Sequence, residues 1–165
     1  MSTSKINFPY VAVNFLLFAL ALLIQYNDSF TVKIYSANPM LPLAVLISFS
    51  MFASEINSCF AGLIVGIFAD SVSGMPVGFN TILFFIVGLA VSLMVRYLFN
   101  NNYRSAIMLC LICTGAYFIA RWLIGFAFGG LETSLGYLMR FAVPSIVYTC
   151  VFAIPLYYLQ KFLLK

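Results

Sequence analysis

Residues 62–78 read GLIVGIFADSVSGMPVG. The stretch is an apolar helix notched by glycine that ends in one carboxylate, Asp70, before the chain breaks at Ser73-Gly74-Met75-Pro76. Gly62, Gly66 and Asp70 stand at i, i+4 and i+8 and so share one helical face. Small residues at that spacing let another helix backbone approach closely in lipid. An ionisable group at membrane depth is costly unless partnered, which makes Asp70 the first residue to question about function.

The surrounding composition decides the solvent. Of 165 residues, 64% are apolar and 7% charged, with a mean hydropathy of +1.10. Soluble domains carry roughly 45–50% apolar and about 25% charged residues. A water-soluble globule of this size has no interior large enough for so much apolar surface. The expectation is one all-α, polytopic membrane domain over residues 1–165, with no sizeable soluble part.

Charge positions mark out the spans. A bilayer core of about 30 Å needs about 20 helical residues. Charge-free stretches and turn residues predict six helices at roughly 8–26, 38–54, 56–70, 78–98, 105–128 and 138–160. Asn27-Asp28-Ser29, Asn38-Pro39, Asn100-Asn101-Asn102 and Gly129-Gly130 supply the helix stops. Pro144 and Pro155 are expected to kink the sixth helix. The uncharged run from Ile6 is followed by no convincing cleavage site, so the first helix reads as retained.

Lys/Arg placement gives the orientation. With the N-terminus inside, Lys5, Arg96, Arg104, Lys161 and Lys165 fall on the cytoplasmic side, and Lys33 and Arg140 fall outside. Both termini are therefore placed in the cytoplasm. Asp70 then lies at the outer end of the third helix. Arg121 lies roughly 24 Å along the fifth helix, at similar depth. Glu132 and Arg140 flank the next turn, so Asp70, Arg121, Glu132 and Arg140 are read as a charge network near the outer leaflet. Two plainer readings stand beside it: Asp70 capping the break at Ser71–Gly74, and Arg121 snorkelling to the headgroups beside Trp122. Glu55, in the inner connection, is expected to be solvated.

Other chemistry is poorly provided for. The eight basic residues are scattered and form no nucleic-acid patch. There is no histidine, so no Ser-His-Asp or Cys-His arrangement exists. Walker A and GxGxxG motifs are missing. Cys110 and Cys113 form a CxxC inside an apolar helix, and with Cys59 and Cys150 they read as small buried residues rather than a metal or redox site. No cofactor, metal or catalytic residue is assigned.

The 62–78 segment resembles the central signature of the MreD family of bacterial rod shape-determining membrane proteins. The matching positions are Gly62, Gly66, Asp70, Ser73, Gly74 and Gly78. The small multi-helix layout with short loops is similar too. The resemblance implies a non-enzymatic plasma-membrane component of the elongation machinery. Its partners would be MreC, a single-span protein, and through the assembly RodA, a class B penicillin-binding transpeptidase and MreB filaments. The implied role is control of peptidoglycan synthesis and cell shape, with the Gly62/Gly66 notch receiving a helix, either the chain's own neighbour or MreC's span.

The layout also resembles the vitamin-binding S components of energy-coupling factor transporters. On that alternative Asp70, Arg121, Trp122, Glu132 and Tyr137 would line an outer pocket. Against it, Ala12, Ala19 and Ala21 are not spaced four apart, as the helix facing a scaffold subunit would require.

Overall fold

A computed structural model describes residues 8–26, 40–73, 76–99, 101–129 and 142–163. Among these residues the chain forms six helices: α1 (Phe8–Tyr26), α2 (Leu41–Ser50), α3 (Glu55–Ser73), α4 (Phe79–Tyr97), α5 (Tyr103–Gly129) and α6 (Val143–Leu163). Four are long and apolar enough to cross a membrane: α3, α4, Tyr103–Ile124 of α5, and α6. In each, 22–39% of the apolar window is buried, so most of the window faces outward. Such large apolar faces mark a lipid-exposed surface rather than a wetted one. Ile82, Ile86, Leu111, Ile119, Val147 and Val151 are among the exposed side chains.

The helices alternate in direction, and side-chain bonds show which ends meet. At one end Tyr10 of α1 donates to Gln160 of α6 at 3.0 Å, and Tyr157 donates to the Asn101 carbonyl at 3.0 Å. The start of α1 and the end of α6 therefore lie at the same end of the bundle. Glu55, Arg96, Arg104 and Lys161 belong to this end by their places in the helices. At the other end lie Tyr26, Met40, Asp70, Gly78 and Arg121.

α2 is the centre. From Pro42 to Ser50 every residue is buried, and the helix packs against α1, α3, α4, α5 and α6. The expected span at 38–54 is corrected here. Ten residues make only about 15 Å of helix, half a bilayer core. Pro42 stands in the first turn, and after Ser50 the Phe52 and Ala53 amides both fold back on the Phe49 carbonyl at 3.0 Å. An apolar run of spanning length thus becomes a short core helix.

A helix buried on all sides cannot leave its first amides to water. The Met40 N–H is accepted by Thr149 Oγ1 of α6 at 3.1 Å, and the Leu41 N–H by Gln25 Oε1 of α1 at 3.1 Å. Pro42 has no N–H to satisfy. At the far end Asn101 Nδ2 donates to the Met51 carbonyl at 3.1 Å.

Other expectations shift by smaller amounts. α3 continues three residues past Asp70, with the Ser71 hydroxyl bonded back to the Ile67 carbonyl at 3.0 Å. Pro144 is the second residue of α6, a first-turn position that needs no N–H and causes no kink; Pro155 alone sits inside the helix. Glu55 is not simply solvated: it opens α3 and forms an ion pair with Arg96 in the last turn of α4. All four cysteines are free thiols, with Cys110 and Cys113 buried.

Thr149→Val removes the acceptor of the Met40 amide while keeping the side chain's shape. It should destabilise the protein by about 1–3 kcal/mol, the cost of one orphaned buried donor, whereas Val147→Ala on the exposed face of α6 should change little. Unfolding in detergent by heat or denaturant distinguishes the two.

Candidate functional site: the α3–α4 clasp

The buried residues of α3 are Ser58, Gly62, Val65, Gly66 and Ala69, one small-residue face. They lie against α4, whose buried residues include Asn80, Phe84, Val87, Gly88 and Val91. A Cβ on Gly62 would stand 2.4 Å from the Phe84 carbonyl oxygen, and one on Gly66 2.4 Å from Thr81 Cα. Both neighbours are backbone, so they cannot swing away. The notch read from sequence is filled by the chain's own next helix. A third glycine completes the contact from the opposite side: a Cβ on Gly88 would meet the Ser58 carbonyl oxygen at 2.5 Å.

This closeness brings the start of α4 under Asp70. Gly78 is the N-cap of α4, with φ +95°, a left-handed conformation that glycine adopts freely. Having no side chain, it cannot perform the usual N-cap task of accepting the amides two and three residues ahead. Asp70 performs it from α3. Its Oδ1 accepts the Asn80 N–H at 2.9 Å, and its Oδ2 accepts the Gly78 and Thr81 N–H groups, each at 3.0 Å. The Thr81 hydroxyl adds a fourth bond at 2.6 Å. The remaining early amide, Phe79, donates to the Pro76 carbonyl at 3.1 Å. No N–H in the first turn of α4 is left without a partner. The carboxylate also meets the positive end of the helix dipole.

From the clasp a buried polar chain continues. Asn80, 1% exposed, donates from Nδ2 to Ser73 Oγ at 2.9 Å. Its Oδ1 accepts the Tyr117 hydroxyl of α5 at 2.8 Å. The Tyr117 ring lies between Phe79 and Phe84, with centroids at 6.2 and 6.0 Å. Arg121, one turn further along α5, stands beside the Tyr117 hydroxyl. Tyr26 of α1 reaches the Ala69 carbonyl at 3.4 Å. Four helices thus meet around the end of the α3–α4 hairpin.

Gly62, Gly66, Asp70, Ser73 and Gly78 are therefore brought into one hairpin, each against α4 or at its start. Gly74 lies outside the described residues, as do Glu132 and Arg140. Among the described residues the bonds of Asp70 go to other groups than Arg121. Its partners are amides and a hydroxyl, and no ion pair links it to Arg121 among the described residues. The physical reason is supply: helix-start amides lie within reach of the carboxylate and satisfy both its oxygens. Sequence reasoning missed Asn80, Thr81, Gly88 and Tyr117. A signal was available in the first two, polar residues two and three positions after Gly78 in an otherwise apolar helix. Four donors converge on the carboxylate and engage both its oxygens.

The family model described as "MreD: rod shape-determining protein MreD" matches residues 5–165. No curated protein and no solved structure matches the chain.

Asp70→Ala strips the acceptor from three amides at once and should cost about 3 kcal/mol or more; Asp70→Asn keeps one acceptor oxygen and should fall between. Gly66→Ala should also lower the unfolding temperature, because the methyl meets backbone, while Gly115→Ala on α5, with nothing within 4 Å of the added carbon, should leave it unchanged or raise it slightly. A detergent melting series of these four variants reads both effects.

Proposed function

Since the chain belongs to the MreD family of rod shape-determining membrane proteins, we propose that it works as a non-catalytic membrane component of the rod complex. On this reading it sits in the bacterial plasma membrane with both termini in the cytoplasm. It binds an MreC-like single-span protein. Through that assembly it is coupled to RodA, a class B penicillin-binding transpeptidase and MreB, and so to the control of peptidoglycan synthesis.

The observation that carries the reading is the family match over nearly the whole chain. The clasp agrees with it. Asp70, Ser73, Asn80, Thr81 and Tyr117 are bonded to one another or to backbone, which suits a rigid platform more than a reaction centre. A scaffold needs a fixed shape in lipid, and the hairpin supplies one through close backbone contact and a saturated carboxylate. The S-component alternative draws its outer pocket from Asp70, Arg121, Trp122, Glu132 and Tyr137, and both oxygens of Asp70 are already engaged by the start of α4.

The test is a mild-detergent isolation of the tagged protein from its native membrane, with mass spectrometry of proteins and small molecules. The expected result is recovery of an MreC-like single-span protein with RodA or a transpeptidase. Recovery of energy-coupling factor subunits or a bound vitamin would replace this reading with transport.

A further inference from the structure

The two ends of α2 are served unequally. At its start the Met40 and Leu41 amides each meet a side-chain acceptor from another helix. At its other end the last carbonyls have no amide further along the helix to take them. The Phe52 amide, which in a continuing helix would bond the Ser48 carbonyl, goes to the Phe49 carbonyl instead, and the Ala53 amide follows it there. Asn101, from the connection between α4 and α5, supplies one donor through Nδ2, to the Met51 carbonyl at 3.1 Å. The end of α2 is thus rich in acceptors and short of donors.

Two side chains carry the imbalance further. Asn101 Oδ1 is buried and has no hydrogen-bond partner among the described residues. The same holds for Ser50 Oγ, on the last residue of α2, which is 1% exposed. Reversing the Asn101 amide would not help, because Oδ1 would then face the Met51 carbonyl. What Asn101 needs is a donor. Other buried amides find theirs within the protein: Gln160 Oε1 accepts from Tyr10, and Asn80 Oδ1 from Tyr117. A buried water makes about three hydrogen bonds to polar groups that would otherwise lack them. Around Met51 the takers are Asn101 Oδ1, the Ser50 hydroxyl and the second lone pair of the Met51 carbonyl. A cation would also suit bare oxygens, but Arg96, Arg104 and Lys161 at this end outnumber the carboxylate of Glu55 and repel it.

We infer that the end of α2 holds a bound water molecule, which donates to Asn101 Oδ1 and bonds the Ser50 hydroxyl beside the Met51 carbonyl. The site joins three parts of the chain. Asn101 holds α2 through Met51, takes the Tyr157 hydroxyl of α6 on its own carbonyl at 3.0 Å, and reaches Ser50 through the water. The water does for the end of α2 what Gln25 and Thr149 do for its start.

The experiment is X-ray radiolytic labelling of the full chain in detergent. Hydroxyl radicals made from water oxidise the side chains beside it, and mass spectrometry reads the oxidation residue by residue. Met51 and Met40 serve as the pair: the same residue type at opposite ends of α2, 4% and 6% exposed. Met51 is expected to oxidise several-fold faster than Met40. In Asn101→Leu, which replaces the acceptor by methyl groups, the Met51 rate should fall to that of Met40. Ser50→Ala, a smaller change, should lower the rate in part and serves where Asn101→Leu fails to fold. Equally slow oxidation of the two methionines in the unsubstituted protein would overturn the site. So would fast Met51 oxidation that the substitutions leave unchanged, since bulk solvent would then be its source. A Met51 rate that varies with sodium or potassium concentration at constant ionic strength would overturn it as well, and put a cation in place of the water.

Discussion

A backbone amide inside a bilayer has no water to turn to, and much of this structure follows from where those amides go. Helix interiors satisfy themselves, so the problem gathers at helix starts. Two starts show this, those of α2 and α4. Each is solved by side chains from other helices. For α4 the donor groups converge on Asp70; for α2 they are shared between Gln25 and Thr149. Asp70 is at once the most conspicuous charge in the span and a part of the backbone's hydrogen bonding.

The glycines and the carboxylate form a single device. Without Gly62, Gly66 and Gly88, α3 and α4 would be pushed apart by side-chain volume, and Asp70 would no longer reach the Gly78, Asn80 and Thr81 amides. Without Asp70 the close contact would leave the Gly78, Asn80 and Thr81 amides without their carboxylate acceptor. At the opposite end of the hairpin, the Glu55–Arg96 pair closes the same two helices. Its exposed setting makes it a minor contributor to stability, so the hairpin depends chiefly on its other end.

Much of this was legible in the residues. Charge-free lengths found the six helices, and the i, i+4, i+8 spacing found the face on which Gly62, Gly66 and Asp70 work. The partner of that face was less accessible, because small-residue spacing records that a helix comes close without recording which one. The span at 38–54 misled for a related reason. An apolar run has the same composition whether lipid or protein surrounds it, and α2 is surrounded by protein. Asp70 was read both as a member of a charge network with Arg121 and as a cap, because charges are easy to see in a sequence. Backbone amides carry no letter of their own, and they were the nearer partners. Asn80 and Tyr117 escaped notice because their bonds join residues 37 positions apart.

The burial of α2 also constrains how the molecule is made. The Met40 amide finds its acceptor in Thr149, a separation of 109 residues. A ribosome delivers the second helix long before the sixth exists. At ten residues, α2 is too short to settle across the bilayer as an independent segment, while the α3–α4 hairpin closes through contacts between neighbours in the chain. The surroundings of α2, and the acceptor of its Met40 amide, are therefore complete only once α6 is in place.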